Sequence, residues 1–402
     1  MNNVKSDFPI LDKKIRDKTI TYLDSAASTQ KPKQVIHSIS EFLENSYENV
    51  HRGMNSLSID ATDLYEKSRE VAKLFINANS TNEIIFTRGA TDSINIIANS
   101  LAEHLNKGDK IVVTELEHHS NYLPWMHLCK KLELELKIIP ISKEGILSED
   151  EIINNCDDTT KVLSLTHMSN VTGQILDIKK IKQEINKDIY VAVDGCQSIA
   201  HLNIDVKDLN CDFYSFSSHK LYGPSGIGIM FGKEDILNKL NPPTLGGGMI
   251  NEVSSNDFSY AMLPNKFEPG TPSIEAAIGF KAAMEYLNNI NYQDYFSKEK
   301  KLRSTLISAL NDFEEIEIYG SNKNGNATSI VSFNIKNQNF NDIATFLDQY
   351  GIMIRGGHHC CQPFMKKLGI PGSCRVSFGI YNDINDIDHF VDSMKKTLKL
   401  LQ

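Results

Sequence analysis

The feature that most constrains this chain is an alternation of buried-strand and helix patterns through roughly its first two thirds. Apolar runs at 82–87, 110–114, 134–141, 161–166, 189–194 and 212–217 predict strands, and the segments 91–104 and 177–186 have helical periodicity. Runs that are apolar throughout mean strands covered on both faces, so the pattern predicts a parallel sheet with helices on both sides. Ligands of such sheets sit beyond the carboxyl ends of the strands. At 402 residues the chain exceeds one ordinary core and points to two domains, or one large domain with an appendage. After 267–272 the character changes. A helical stretch over 274–313, broken near Asn291, leads to strands at 328–335 and 374–380 and a terminal helix from Ile384. This predicts a smaller α/β domain hung on a long helix.

Composition narrows the function classes. With 41% hydrophobic and 23% charged residues the chain reads as an ordinary soluble globular protein. A formal charge of −9 leaves no basic stripe for a phosphate backbone, so nucleic acid is not expected as a partner. Seven scattered cysteines without a C-x-x-C pair suit a reducing compartment, where a special cysteine is chemical rather than structural. No apolar run approaches the ~20 residues of a membrane helix. The start MNNVKSDFPILDKK lacks the basic-then-apolar pattern of a signal peptide. A cytoplasmic enzyme is the expectation, with no membrane partner.

The residues just after each strand are then the ones to inspect. The strand at 189–194 ends in Asp194, followed by Gly195, Cys196 and Gln197. A carboxylate at the end of a buried strand is costly unless a cation meets it. The strand at 212–217 runs into Ser218, His219 and Lys220, then the turn-rich LYGPSGIG. A lysine and an aspartate at two strand ends are what pyridoxal phosphate asks for. The lysine binds its aldehyde, and the aspartate keeps the pyridine nitrogen protonated so that the ring accepts electrons. The same pair also reads as a loop lysine and a helix-capping aspartate, and spacing alone does not separate the two. Arg88, Gly89, Ala90 and Thr91 lead into a helix whose N-terminus can hold phosphate, with Ser217 and His219 as further donors. Thr91 as a plain N-cap is the alternative. Glu117, His118 and His119 follow the second strand, where an imidazole can stack on a flat ring, and His167 and Asn170 follow the fourth. Any one histidine also reads as a structural hydrogen bonder. Four strand ends in a row carrying ring-compatible groups argue for a cofactor.

A second cluster, Arg355, Gly356, Gly357, His358, His359, Cys360 and Cys361, lies far downstream. Glycines predict a mobile loop, and arginine and histidines beside a thiol favour thiolate, which suits a nucleophile that attacks sulfur. A metal site competes with this reading. It is weakened because neighbouring residues rarely all reach one ion and no C-x-x-C partner exists. A buried, inert Cys360 fits poorly with so much glycine and charge. Spacing does not rank Cys361 against Cys360.

Together SSHKLYGPSGIG, VDGCQ, TELEHHSNYLPW, THMSNVTG, FEPGTPS and RGGHHCCQP resemble the SUF-type cysteine desulfurases, fold-type I pyridoxal-phosphate enzymes of the class V aminotransferase family. The resemblance runs in order from about Phe8, through YLDSAAS and NVHRG, to YND near Asp383. It implies an N-terminal segment, 1–22, associated with a small domain. A large cofactor-binding domain at 23–285 and a small C-terminal domain at 286–402 carrying the catalytic loop complete the implied layout. It also implies conversion of L-cysteine to L-alanine, with the sulfur held as a persulfide on Cys360. From there it would pass to a SUF acceptor protein in iron–sulfur cluster assembly.

Residue by residue, the resemblance makes Lys220 the lysine bound to the cofactor and the general base, Asp194 the partner of the pyridine nitrogen, and His118 the stacked ring. Gln197 is assigned to the phenolic oxygen. Thr91, Ser217 and His219 are assigned to the phosphate, joined by Thr271 from the other subunit of a homodimer. Arg375 is assigned to the substrate carboxylate with Asn170 close by, Arg355 lies near the sulfur, and His51 belongs to the site's surround. Ala90, Ser218, Cys196 and Cys361 depart from the family pattern, and Cys361 raises the question of whether one thiol holds all the sulfur. A selenocysteine lyase, a cysteine-sulfinate-acting enzyme or an aminotransferase shares the scaffold. A sulfur-relay binding protein dependent on an acceptor is the alternative of another class.

Overall fold

The computed structural model describes residues 4–320 and 326–401. Parts of the expected segments 1–22 and 286–402, namely 1–3, 321–325 and 402, lie outside the described residues. Seven strands form the main sheet: β1 (Ile84–Thr87), β2 (Lys110–Thr114), β3 (Glu135–Ile139), β4 (Thr160–Thr166), β5 (Tyr190–Asp194), β6 (Phe213–Ser217) and β7 (Gly228–Gly232). Their order is β1-β7-β6-β5-β4-β2-β3, and β7 alone runs against the direction shared by the other six. Strands β1, β2 and β6 are buried along their whole length, as a sheet covered on both faces requires. The six expected strands are therefore present with small trims at their ends. Residues 82–83, for example, belong to a 3₁₀ turn closed by a Ser80–Glu83 capping box.

Strand β7 was not expected, because the glycine-rich LYGPSGIG reads as loop. Its first residue shows what the glycine does. A Cβ on Gly228 would lie 2.6 Å from Gly89 Cα and 2.6 Å from Phe216 O, so only glycine lets β7 slide between β1 and β6 at their ends. Register then sets Thr87 level with Ser217 across Gly228, and Thr166 level with Asp194, which pairs with Ser215, so these strand ends fall along one edge of the sheet.

The break near Asn291 has a cause. Helix Ile274–Asn288 stops, and the Asn291 side chain accepts from Gln293 N and Asp294 N to start helix Tyr292–Asn311. A second, antiparallel sheet follows: β8 (Ile316–Tyr319), β9 (Ile330–Ile335), β10 (Arg355–Gly357) and β11 (Ser373–Ser377), in the order β8-β9-β11-β10. Helix Ile384–Leu401 packs on it, and Leu302, Val331, Phe333, Val376 and Phe390 share its apolar cluster. Residues 21–24 join this unit, whereas Phe8, Leu11 and Ile20 belong to the apolar cluster of the main sheet. Thr21–Tyr22 pairs in parallel with Ile352–Met353, Leu23 belongs to the same cluster, and Asp24 bridges to Ser377. Among the described residues no helix is long and apolar enough to cross a membrane.

Candidate active site

The level edge of the main sheet and the edge of the second sheet face one cavity of about 280 Å³. Thr91, His118, Asn170, Asp194, Ser217, His219 and Lys220 line it from the main sheet, and Arg355, Cys360 and Arg375 from the second. Ten residues that the sequence pointed to therefore meet in one place. Gln197 is buried but absent from the wall, and its Nε2 donates to Ala26 O at 2.9 Å. His51 and Thr271 line a separate surface pocket together, where His51 Nε2 lies 2.9 Å from Glu66 Oε1. His167 is structural: its Nδ1 pairs with Tyr214 OH at 3.0 Å, and Tyr214 OH also meets Ser198 Oγ at 2.7 Å.

One end of the cavity is built for an anion. Helix Ala90–Leu101 has Gly89 as its N-cap, with φ at +147° and no side-chain cap. Thr91 is thus the second residue of the helix and not its N-cap. An uncapped helix start leaves backbone N–H groups free to meet a phosphate. Ala90 N–H donates to Ser217 Oγ at 2.8 Å, and Thr91 Oγ1 pairs with Ser120 Oγ at 2.7 Å, so hydroxyls ring the same spot.

The middle of the cavity holds neutral rings and one carboxylate. His118 caps the next helix, its Nδ1 accepting from Ser120 N at 3.1 Å, which leaves the ring proton on Nε2. Burial first, then the Lys220 charge, pull its pKa down to about 3, so it is uncharged at neutral pH. Burial likewise pulls His219 down to about 4. Burial pushes Asp194 above the usual carboxylate range, while Lys220 and the Cys196 N–H, donated to Asp194 Oδ1 at 2.9 Å, hold the charge in place.

At the other end the structure adds a residue that sequence reasoning missed. Asp24 sits between both arginines. Arg355 donates Nε and Nη2 to Asp24 Oδ2 at 3.0 and 2.7 Å, and Arg375 Nη2 donates to Oδ1 at 3.2 Å. Arg375 also donates Nη1 to Asn170 O at 3.0 Å, and its buried Nε has no protein partner. Burial lowers the Arg375 pKa, and Asp24 works against that shift. The only sequence signal for Asp24 was its place in YLDSAAS.

The thiol loop differs from the mobile segment that its glycines suggested. His119 N–H donates to Cys360 O at 2.7 Å, Asn170 Nδ2 donates to His359 O at 2.7 Å, and Gln362 N–H donates to His119 Nε2 at 3.2 Å. These bonds hold His359 and Cys360 in left-handed backbone, φ +51° and +52°. The turn separates the two thiols. Cys360 is exposed and faces the cavity, whereas Cys361 is buried, its Sγ 3.7 Å from Glu115 O. Burial pushes the Cys361 thiol well up, which keeps it protonated. Among the described residues no group of three or more His, Cys, Asp or Glu is placed to hold a metal ion.

Pyridoxal phosphate fits this donor set. The uncapped helix start with Ser217 and His219 suits its phosphate, the neutral His118 ring its flat face, Asp194 its pyridine nitrogen and Lys220 its aldehyde. Comparison with known proteins agrees. The aminotransferase class-V family model matches residues 21–390. A probable cysteine desulfurase of Staphylococcus aureus is 43% identical over 399 residues, 99% of this chain and 96% of that protein. The crystal structure of the cysteine desulfurase CsdA from Escherichia coli superposes with TM-score 0.89 at 33% identity, covering 98% of each chain. An apo cysteine desulfurase from Thermococcus onnurineus gives 0.94 at 35% identity, covering 98% of this chain and 97% of that one. The chain belongs to the aminotransferase class-V family, on the cysteine desulfurase side of it and with pyridoxal phosphate as its cofactor.

Proposed function

We propose that this cavity converts free L-cysteine to L-alanine and leaves the sulfur on Cys360 as a persulfide. The observation that carries the reading is an exposed thiol on the wall of the cavity that also holds Lys220 and Asp194. Pyridoxal phosphate bound there supplies an electron sink for the carbon bearing the amino group. Lys220 anchors it and moves the proton at that carbon, Asp194 keeps the pyridine nitrogen protonated, and neutral His118 packs on the ring. Thr91, Ser217 and His219 hold the phosphate. Arg375, with Asn170 beside it, takes the substrate carboxylate and places the substrate sulfur before Cys360. Thiolate Cys360 then attacks that sulfur. An S–S bond forms, the C–S bond breaks with its electron pair left on carbon, and protonation there yields alanine.

The wider assignments belong to the same proposal. The chain divides into 1–22, 23–285 and 286–402, and the pairing of Thr21–Tyr22 with Ile352–Met353 supports placing the first with the last. His51 and Thr271 complete the site of the second subunit in a homodimer. Their shared pocket outside the Lys220 cavity supports this, as do exposed Met54, Leu245, Val253 and Met262. Gln197 turns to the phenolic oxygen of the cofactor from just behind the wall. The enzyme works in the cytoplasm and feeds a SUF-type acceptor for iron–sulfur clusters.

The test is a cysteine pulse on the holoenzyme, followed by alanine assay and peptide mass spectrometry. One extra sulfur is expected on the peptide holding both thiols, lost in Cys360→Ala and kept in Cys361→Ala. Full alanine release by Cys360→Ala with dithiothreitol as acceptor would sink the proposal.

A further inference from the structure

The chemistry above gives no work to Glu117, which stands between β2 and His118. Its side chain is fully buried, 0% exposed, and both carboxyl oxygens are engaged. Oε1 lies 2.8 Å from Thr114 Oγ1, and Oε2 accepts Asn121 Nδ2 at 2.6 Å. Asn121 is held in turn by Ser164 Oγ, which donates to its Oδ1 at 2.6 Å, and by Trp125 Nε1, which donates to the same oxygen at 3.3 Å. Asn121 N–H also donates to His118 O at 2.8 Å. His118 is thus gripped from both sides, by the residue before it and by the residue three on.

The groups that face Glu117 decide its charge. From β4 the Thr166 backbone hydrogen-bonds to it, and from β5 comes the carboxyl of Asp194. From the thiol loop comes Cys361, whose thiol Glu117 helps to push up. Among the described residues no lysine, arginine or histidine forms an ion pair with Glu117. Burial outweighs the Asn121, Thr166 and Thr114 bonds, and Asp194 adds to it, so the Glu117 carboxyl is raised to about 8. Asp194 has Lys220 to hold its charge and Glu117 has no such cation, so of the two acids Asp194 ionises and Glu117 keeps its proton. Thr114 Oγ1 can receive that proton's hydrogen bond, because a hydroxyl serves in either direction.

We propose that Glu117 works as an uncharged acid, a positioning residue that locks the turn under His118 while Asp194 carries the charge. The inference rests on the roles of His118 and Asp194 proposed above. Glutamine has the same shape and makes the same two side-chain bonds, so it reproduces the neutral acid. Loss of the proton instead leaves an unpaired charge in a dry site beside Asp194, a costly state. The turn then opens toward water, and His118 leaves the ring it packs on.

Trp125 is the chain's one tryptophan and is joined to Glu117 through Asn121, so its emission reports the charge of the acid. In the holoenzyme and in the full-length apoprotein, emission followed on the alkaline side of neutrality should change in one step centred at about 8. Glu117→Gln should abolish that step. At neutral pH the glutamine variant should form alanine within about twofold of the parent rate, because both bonds are kept. Glu117→Ala should lose kcat by about tenfold or more, while KM for cysteine stays within about twofold because Arg375 and Asn170 are untouched. The visible band of the bound cofactor should shift in Glu117→Ala and not in Glu117→Gln. Flat emission, or a step that survives Glu117→Gln, overturns the neutral acid, and so does glutamine as damaging as alanine. An unimpaired Glu117→Ala overturns the positioning role, and Glu117→Gln alone decides if the alanine variant does not fold. A parent that forms no alanine overturns the desulfurase reading instead, and the emission step stands or falls by itself.

Discussion

Replacing Asp24 with asparagine tests the electrostatics of the carboxylate end directly. Asp24 holds two cations of very different value. The Arg355 side chain is 51% exposed, so its ion pair contributes at most about 1 kcal/mol. Arg375 is only 4% exposed, and a buried charge stripped of its partner costs roughly 3–5 kcal/mol. Asparagine keeps one acceptor oxygen, and Arg375 keeps its bond to Asn170 O, so the low end applies. We expect Asp24→Asn to lower stability by about 3 kcal/mol, a melting shift on the order of 5 °C for a chain of this size. The assay is calorimetric melting of the apoprotein beside Arg375→Gln and the double variant. If Arg375 is the group left stranded, the double variant loses about 2 kcal/mol less than the two singles combined. Substrate should partly mend the single variant, because a carboxylate can take the vacated place. Saturating L-alanine, added to the holoenzyme, should raise the melting temperature of Asp24→Asn more than that of the parent. A variant as stable as the parent, or strictly additive losses, would refute the claim that Asp24 neutralises a buried arginine.

Two further outcomes follow from the site. Buried His167 and His359 and half-buried His118 and His219 are held at about 4, 2, 3 and 4, below the ordinary ~6.5, so the unfolded chain binds more protons than the folded one between those values. Stability is therefore full above pH 6.5 and falls as pH drops toward 4, by up to about 1.4 kcal/mol per pH unit for each ring. Apoprotein melting that is flat from pH 7 to pH 5 would contradict the burial of these rings. Ser217 Oγ accepts Ala90 N–H at 2.8 Å and the Cys196 thiol at 3.7 Å, which leaves its own hydrogen to point into the cavity. Cys196→Ala should then release cofactor two- to five-fold faster, the effect of about 0.5–1 kcal/mol, as read by trapping the freed cofactor. An unchanged release rate would remove Cys196 from the phosphate end.

How much of this was legible depends on what kind of information each residue carries. KIVVT and FYSFS are short β-branched and aromatic runs buried on both faces, so their strands and the ends that hold His118 and Lys220 could be read from a few residues each. Strand β7 could not, because its first glycine, Gly228, answers to Gly89 and Phe216, contacts that lie elsewhere in the chain. Asp24 meets Arg355 across 331 residues, through a two-residue strand too short to leave a pattern. The same holds for the loop stiffness. Glycine content argued for mobility, but the restraint comes from His119 and Asn170, which no local rule connects to Cys360. Adjacent thiols are the limiting case, since any spacing rule that fits Cys360 fits Cys361 as well. What separates them is a backbone twist at φ +51° and +52°, which turns one sulfur outward and leaves the other in the apolar cluster of Phe364 and Met365. Left-handed backbone at two non-glycine residues is held there by the long-range bonds. Which of the two thiols meets the cavity is thus a tertiary property, made by His119 and Asn170 as much as by the cysteines themselves.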